Sequence, residues 1–560
     1  MPSMTGSRFI AETLHGYGVT AVYFVPGILQ QSLVDMEPLG IRRVMCHTEK
    51  AAAYMADGYA RAARRPGVAF AQSVGAANLA AGLQDAYLAR SPVIALTGRW
   101  TPEYRYRHAY QEIDHWPLFQ PVTKFSALVD GAAQLPLLLR QAFREAVSGS
   151  PAPAHLDLLG IAAELVEEDE LDAEVIVDSS FRSYPAFRPA PDDAQIHAAA
   201  ELLEQAQRPV MLAGGGVTAS HAGPEVTALA KKLAIPVVTS LNGKGSIPED
   251  HPQSVGVLGT YSRACANQVA YEADLVLIVG SQTGGQATHF WRVPRPGVPT
   301  IQINVDPTEL GRNYPSQVDI LADARLALQR LIEVSEPVPE ETGWTRRAQQ
   351  LVAEWRAELQ PHRDSDASPI RPERLCREVQ DFLPDDAVLV SDTGHAGIWT
   401  GTMIDITHRT QSYLRCAGSL GWALPAAMGA KCAVPDRPVV CFTGDGGVWY
   451  HLAELETAVR CQINTVTVIN NNRSLNQGKA AIDDLYANRD GNPDELWVFE
   501  DVDFTKIAKA MGCLAIRVTR AGDLPDALAT ALAANRPAVV DVATNINATA
   551  PLPFVPDQQG

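Results

Sequence analysis

No apolar run in this chain approaches the roughly 20 residues that a membrane-spanning helix requires, although hydrophobic residues make up 46% of its 560 positions. No membrane partner is expected. Cysteine is sparse and scattered: the eight residues form no CxxC pair, so neither a zinc site nor a disulfide framework is indicated. Positive charge is also in deficit. With 46 Lys and Arg against 64 Asp and Glu, the net charge is −18 at pH 7, which leaves no basic footprint for nucleic acid and would repel anionic membrane surfaces. Short repeats and low-complexity tracts are missing as well. The opening MPSMTGSRFIAETLHGYGV lacks a secretory apolar core and reads as the start of an amphipathic helix, which places the protein in the cytoplasm. These absences point to a reduced-thiol protein that handles a small molecule.

What the chain does contain is an alternation of β-type and helical patterns: VTAVYFV, EKAAAYMADGYARAA, GVAFAQSV, NLAAGLQDAYLA and PVIALTG follow one another in the first block. That order predicts βα units stacked on a parallel sheet. The length exceeds what one hydrophobic core supports, so about three domains are expected. An acidic, proline-bearing stretch near residues 165 to 192 reads as a linker, and SEPVPEETG near residue 335 as a second join leading into a polar helix. The predicted fold class is α/β, with three consecutive doubly wound parallel-sheet domains at residues 1–180, 193–335 and 369–548. In such sheets ligands gather at the carboxyl ends of strands. The strand endings therefore carry the search for chemistry.

The strongest ending is Gly444-Asp445-Gly446-Gly447 after VVCFT, followed by a helical stretch, the strand INTVTVI and Asn471-Asn472. One βαβ unit brings Asp445 and Asn472 to the same end of neighbouring strands. Glycines around Asp445 let the backbone approach an oxyanion, and the helix that follows favours negative charge. A carboxylate, an amide oxygen and the backbone carbonyl of Ser474, completed by phosphate oxygens, suit Mg²⁺, which prefers hard oxygen ligands in an octahedron. The spacing thus points to a diphosphate and metal site.

Glycine-Asp-Gly followed about two dozen residues later by Asn-Asn resembles the thiamine-diphosphate motif, and the likeness spreads over nearly the whole chain. VPG at 25–27, HTEKAAAYMADGYARA at 47–62, YQEID at 110–114 and GSLGWALPAAMGA at 418–430 are similar to the acetolactate synthase group. The resemblance implies an N-terminal pyrimidine-binding domain, a central nucleotide-type domain and a C-terminal diphosphate-binding domain. It also implies thiamine diphosphate and Mg²⁺ as cofactors, and a homodimer or homotetramer with active sites between chains. Glu49 matches the group's activating glutamate, which relays a proton through the aminopyrimidine and helps form the C2 carbanion. Without the resemblance, Thr48-Glu49 is simply a helix start with an acid in its first turn. Gly418 matches the carbonyl that accepts from the aminopyrimidine, Leu420 the bulky residue beneath the bent cofactor, and Gly394-His395 a second diphosphate-contacting turn. Tyr110 and Gln111 stand where the synthases carry Phe-Gln beside the reacting centre, and Lys124 matches a further pocket position.

Four departures bear on substrate and cofactor. The group's glycine loop is one residue shorter here, at Ser73–Asn78. Ile28 replaces a second glycine after Pro-Gly, which would set a branched side chain near the thiazolium. Asn476 and Gln477 replace apolar lid residues, which suggests a more polar substrate than pyruvate. In the central block Gly214-Gly215-Gly216, Asn304 and Asp323 sit where the synthases cradle FAD, but the stretch after ADLVLIVG lacks their Arg and Asp, so FAD, ADP and an empty cleft all remain open. The expected activity is that of a C–C bond lyase or carboligase on a 2-oxo acid, diketone or related carbonyl compound. The alternatives are acyl-CoA chemistry of the 2-hydroxyacyl-CoA lyase or oxalyl-CoA decarboxylase kind, for which the tail NINATAPLPFVPDQQG offers no Lys or Arg cluster, and a catalytically silent scaffold.

Overall fold

The computed structural model describes residues 3–556, so the last four residues of the tail lie outside the described part. Three six-stranded, fully parallel sheets follow one another along the chain. Strands such as Ala21–Phe24, Leu275–Val279 and Val466–Asn471 are buried along their whole length. Helices cover both faces of each sheet, which is why these strands read as continuous apolar runs rather than alternating ones.

The N-terminal sheet runs in the spatial order Arg42–Met45, Ala21–Phe24, Gly67–Ala71, Val93–Arg99, Ala154–Leu159, Phe125–Val129. The C-terminal sheet has the same order of connection: Ser412–Arg415, Val388–Ser391, Val439–Gly444, Val466–Asn471, Ala538–Ala543, Leu514–Val518. The central sheet differs, with Ser254–Val257, Val237–Thr239, Pro209–Ala213, Leu275–Val279, Thr300–Asn304 and Val318–Leu321 in the order of a dinucleotide-binding fold. In each sheet the winding reverses between two strands, and a crevice opens outside their carboxyl ends. For the C-terminal sheet these strands are Val388–Ser391 and Val439–Gly444, paired in parallel.

The acidic stretch expected to be a linker is partly structured. Glu164–Glu168 forms a helical turn, and the strand Glu170–Asp172 pairs antiparallel with Ser3–Thr5. Its backbone therefore closes the N-terminal domain rather than merely leaving it. The polar helix after the second join, Gly343–Arg363, buries Trp344, Leu351 and Trp355 against a core shared by the central and C-terminal domains.

Contact between the first and last domains is made by two helices that cross at glycines. Helix Glu49–Ala63 packs on Ala423–Ala433; a Cβ on Gly58 would lie 2.0 Å from the Ala426 carbonyl oxygen, and one on Gly429 1.8 Å from that of Met55. Only glycine permits this approach. Beside the crossing, Asp57 accepts from Trp422 Nε1 at 2.9 Å and from the Arg61 guanidinium at 2.8 Å. The central domain is tied on by a buried cluster: Lys244 and Arg263 pair with Glu249 and Asp405, and Glu249 also accepts from the Ile406 amide at 2.8 Å.

Candidate active site

A cavity of about 380 Å³ opens at the switch point of the C-terminal sheet. Its floor comes from the two central strands and their neighbour. Val439–Gly444 delivers Gly444 and Asp445, and Val466–Asn471 leads into Asn472 and Ser474. Gly446 and Gly447 keep the turn bare: a Cβ would fall 2.4 Å from Leu475 Cδ2 at the first and 2.8 Å from Asp392 Oδ2 at the second. Asp445 is buried, and its Oδ1 has no hydrogen-bond partner among the described residues. Burial pushes its carboxyl up to about 7, against backbone hydrogen bonds that lower it. Ser474 Oγ donates to Asn472 Oδ1 at 2.9 Å, holding that amide oxygen beside the floor. Asn470 Oδ1 is a second buried oxygen without a donor in the cavity lining. Oxygens buried without donors are expensive unless a cation satisfies them, so the set fits a hard divalent metal. Among the described residues no three His, Cys, Asp or Glu side chains converge. A soft-metal site is not what this floor resembles.

Asp392, which the sequence reading did not single out, organises the crevice. Its carboxylate accepts from the Thr393 amide at 2.8 Å, the Gly421 amide at 3.1 Å and Thr443 Oγ1 at 3.1 Å. It thereby joins the turn after Val388–Ser391 to the loop carrying Gly418 and Leu420. Burial raises this carboxyl to about 6. Gly394, at φ +65°, makes the turn that presents His395, and the Leu420 side chain packs over it. Asp85 of the N-terminal domain accepts from the amides of Ala417, Gly418 and Ser419 at 2.7, 3.2 and 3.0 Å, fixing that loop from the other side.

The wall above the floor is built from four segments of two domains. His395 Nδ1 lies 2.6 Å from Asn476 Oδ1, and Asn476 Nδ2 donates to the carbonyls of Ile546 and Ala548. Those two acceptors fix the amide's orientation, so the imidazole must donate through Nδ1. Burial lowers the basicity of this ring. Gln477 Nε2 donates to the hydroxyl of Tyr261, a central-domain residue, at 2.8 Å.

Profiles of the thiamine pyrophosphate enzyme family match all three domains: the N-terminal TPP binding domain over residues 4–118, the central domain over 196–331 and the C-terminal TPP binding domain over 392–542. The chain is 32% identical to the probable acetolactate synthase large subunit of Methanocaldococcus jannaschii, over 99% of this chain and 94% of that protein. It is 29% identical to the acetolactate synthase isozyme 3 large subunit of Escherichia coli, over 97% and 95%. For isozyme 1 of that organism the figures are 32%, 84% and 82%. The chain belongs to the thiamine-diphosphate enzymes of the acetolactate-synthase-like group.

Within this thiamine-diphosphate enzyme, the structure gathers most of the sequence-predicted residues in one place. Gly394, His395, Gly418, Leu420, Gly444, Asp445, Gly446, Gly447, Asn472, Ser474, Asn476 and Gln477 all line the one cavity. Glu49 does not line it. It stands at the start of helix Glu49–Ala63, capped by Thr48, with Asn78 Nδ2 donating to its Oε2 at 3.0 Å and Gly75 so close that a Cβ there would lie 2.3 Å from Oε1. Gln111 lies on the same loop surface, its carbonyl accepting from Ser73 Oγ and its backbone at φ +60°, while Tyr110 is 75% exposed. His115 supports that surface from behind, between Asp157 Oδ1 at 2.9 Å and the Ser73 carbonyl at 3.0 Å. These residues form a second cluster on the N-terminal domain.

Three expectations are corrected. Ile28 is fully buried in the core of the N-terminal domain, because the backbone turns at Gly27 (φ +113°) and Leu29 (φ +49°) and swings it inward; it does not face the cavity. Lys124 lines a different cavity, between the N-terminal and central domains, where its Nζ donates to the carbonyls of Ser148 and Ser150. Asn476 is no unsatisfied wall amide, since both ends of its side chain are engaged within the protein. In the central domain, Asp323 caps helix Ala324–Val334 and pairs with Arg188 at 3.0 Å, and Asn304 donates to the Ser281 carbonyl. The Gly214 and Gly216 amides donate across to the carbonyls of Val279 and Gly280. These groups serve the domain's own packing. No helix among the described residues is long and apolar enough to cross a membrane.

Proposed function

We propose that this chain is a Mg²⁺- and thiamine-diphosphate-dependent carboligase or lyase acting on a 2-oxo acid, diketone or related carbonyl compound. The observation that carries the metal assignment is Asp445, a buried carboxylate with an unpartnered oxygen, which lines one cavity with Asn472 and Ser474 at the switch point. Asp445, Asn472 and the Ser474 carbonyl would hold Mg²⁺, and the bare turn Gly444–Gly447 would receive the diphosphate. When bound, thiamine diphosphate supplies a nucleophilic carbon that adds to a substrate carbonyl. The protein's own groups do the rest. Leu420 would support the cofactor, Gly418 sits in a loop held by Asp85, and Glu49 would move a proton.

The separation of Glu49 from the cavity supports an active site completed by a second copy of the chain, in a homodimer or homotetramer. Glu49, Gln111 and the exposed Tyr110 of one copy would then face the Asp445 cavity of another. Eight unpaired thiols support a cytoplasmic location. The test is product analysis with ThDP and Mg²⁺ over a panel of 2-oxo acids, diketones and aldehydes, run beside the Asp445→Ala variant. Carbon–carbon bond formation or cleavage that requires both additions and Asp445 is the expected result. Equal turnover by the variant would remove the assignment.

A further inference from the structure

Resting on that reading, we infer that Tyr261 and Gln477 form a hydroxyl-recognising pair in the cavity wall, and that the preferred carbonyl substrate carries a hydroxyl group. Gln477 Nε2 donates to Tyr261 Oη at 2.8 Å. That bond uses one of the amide's two N–H groups and one lone pair of the phenol, and leaves the phenol's hydrogen, the second N–H and the amide's oxygen. Among the described residues Tyr261 O–H has no acceptor and Gln477 Oε1 has no donor. Gln477 is exposed at the cavity rim, and its oxygen lies 3.4 Å from where a Cβ on Gly394 would stand, over the turn beside Leu420.

Free donors and a free acceptor held side by side complement a group that both accepts and donates. A hydroxyl does this. A methyl group would pair with neither residue, and a carboxylate could accept from the free N–H and O–H but would leave the amide oxygen without a donor. Sites that hydrogen-bond a substrate hydroxyl reject the analogue lacking it far more strongly than apolar pockets discriminate by size. Asn476 takes no part, because its amide is committed to His395, Ile546 and Ala548. Tyr261 comes from the central domain, between Ser254–Val257 and Ala264–Glu272, and its ring packs against Gly397 at the base of the His395 helix. Recognition of substrate thus spans the boundary between the central and C-terminal domains.

The experiment uses two probe pairs that differ by one hydroxyl: pyruvate against hydroxypyruvate as donor, and acetaldehyde against glycolaldehyde as acceptor, with the full chain loaded with ThDP and Mg²⁺. The hydroxylated member of at least one pair is expected to give a kcat/KM at least about tenfold higher. Tyr261→Phe and Gln477→Met should each lower that ratio severalfold while keeping thermal stabilisation by ThDP and Mg²⁺. A preference for the unhydroxylated member in both pairs, or a ratio unchanged in both variants, overturns the inference. Turnover of no probe despite cofactor stabilisation also overturns it, and leaves the cofactor reading standing. Loss of cofactor stabilisation in the wild-type protein would instead overturn the reading on which it rests.

Discussion

Asp445 is held at a cost to the metal-free protein, and that cost can be measured. Burial raises its carboxyl from an ordinary 3.8 to about 7. Between those values the folded state keeps a proton that the unfolded chain has released. Stability therefore falls as pH rises through this window and levels off above about 7. From pH 5 to pH 7 the loss spans two units, or about 3 kcal/mol at 1.36 kcal/mol per unit. Asp445→Asn removes the titration but keeps the shape. Without cofactor, the variant should become progressively more stable than the wild type as pH rises from 5 to 8, by roughly 6 to 12 °C in Tm for a melting unit of about 150 to 250 residues. Adding Mg²⁺ and ThDP at pH 8 should reverse the ranking, since binding at a thousandfold excess over Kd contributes about 4.1 kcal/mol to the wild type alone. Asp392, also raised by burial, is present in both proteins and cancels in the difference. Thermal denaturation at pH 5 and pH 8, with and without cofactor, checks each step. A variant no more stable than the wild type at pH 8 without cofactor, or one that gains as much from Mg²⁺ and ThDP, would refute the reasoning.

Glu49→Gln should keep ThDP affinity near wild type and slow hydrogen exchange at the cofactor's C2 by about 10²- to 10⁴-fold; NMR exchange rates decide, and an unchanged rate would reduce Glu49 to a helix-start residue. Asn476→Ala should lower stability by about 1 to 3 kcal/mol, because the carbonyls of Ile546 and Ala548 lose a donor, and limited proteolysis should then cut first near residues 545–550. Gly429→Val forces side-chain atoms onto the Met55 carbonyl, 1.8 Å from the first added carbon; soluble yield and Tm should fall sharply, whereas Ala433→Val, at the end of the same helix, should be tolerated.

The diphosphate floor was legible because it is local. Gly444 to Asn472 is one βαβ unit, and the order strand, bare turn, helix, strand places its two ends together whatever the rest of the chain does. The wall was not legible for the opposite reason. Asn476 and Gln477 look alike in sequence as adjacent amides in a loop, but their fates are set far away. Asn476 is engaged by carbonyls some 70 positions later, and Gln477 by a hydroxyl more than 200 positions earlier. Ile28 failed similarly: matching its position to a glycine in relatives gave no sign that positive φ at Gly27 and Leu29 would turn it into the core. Asp392 was readable in principle, as an acid ending a fully apolar strand in SDTG. It passed unnoticed because its partners, Gly421 and Thr443, come from two other segments.

The shared strand order of the first and last domains gives those local motifs a common frame. In both sheets the second strand in sequence lies at one edge, and a loop leaves its carboxyl end to reach the site. In the N-terminal domain Arg42–Met45 leads through Cys46 to Glu49; in the C-terminal domain Ser412–Arg415 leads through Cys416 to Gly418 and Leu420. The next strands, Gly67–Ala71 and Val439–Gly444, end in the turns that carry Gly75, against Glu49, and Asp445. The two carboxyls therefore follow different strands of the shared order: Glu49, proposed to move a proton, comes after the second, and Asp445, proposed to hold the metal, after the third. The central sheet, wound in a different order, contributes no strand end to either cluster. What it contributes is Tyr261, from a loop. On the proposed reading, that arrangement separates the task of gripping a cofactor, built on strand ends that cannot easily shift, from the choice of substrate, which falls to loops where single side chains can change with little cost to the fold.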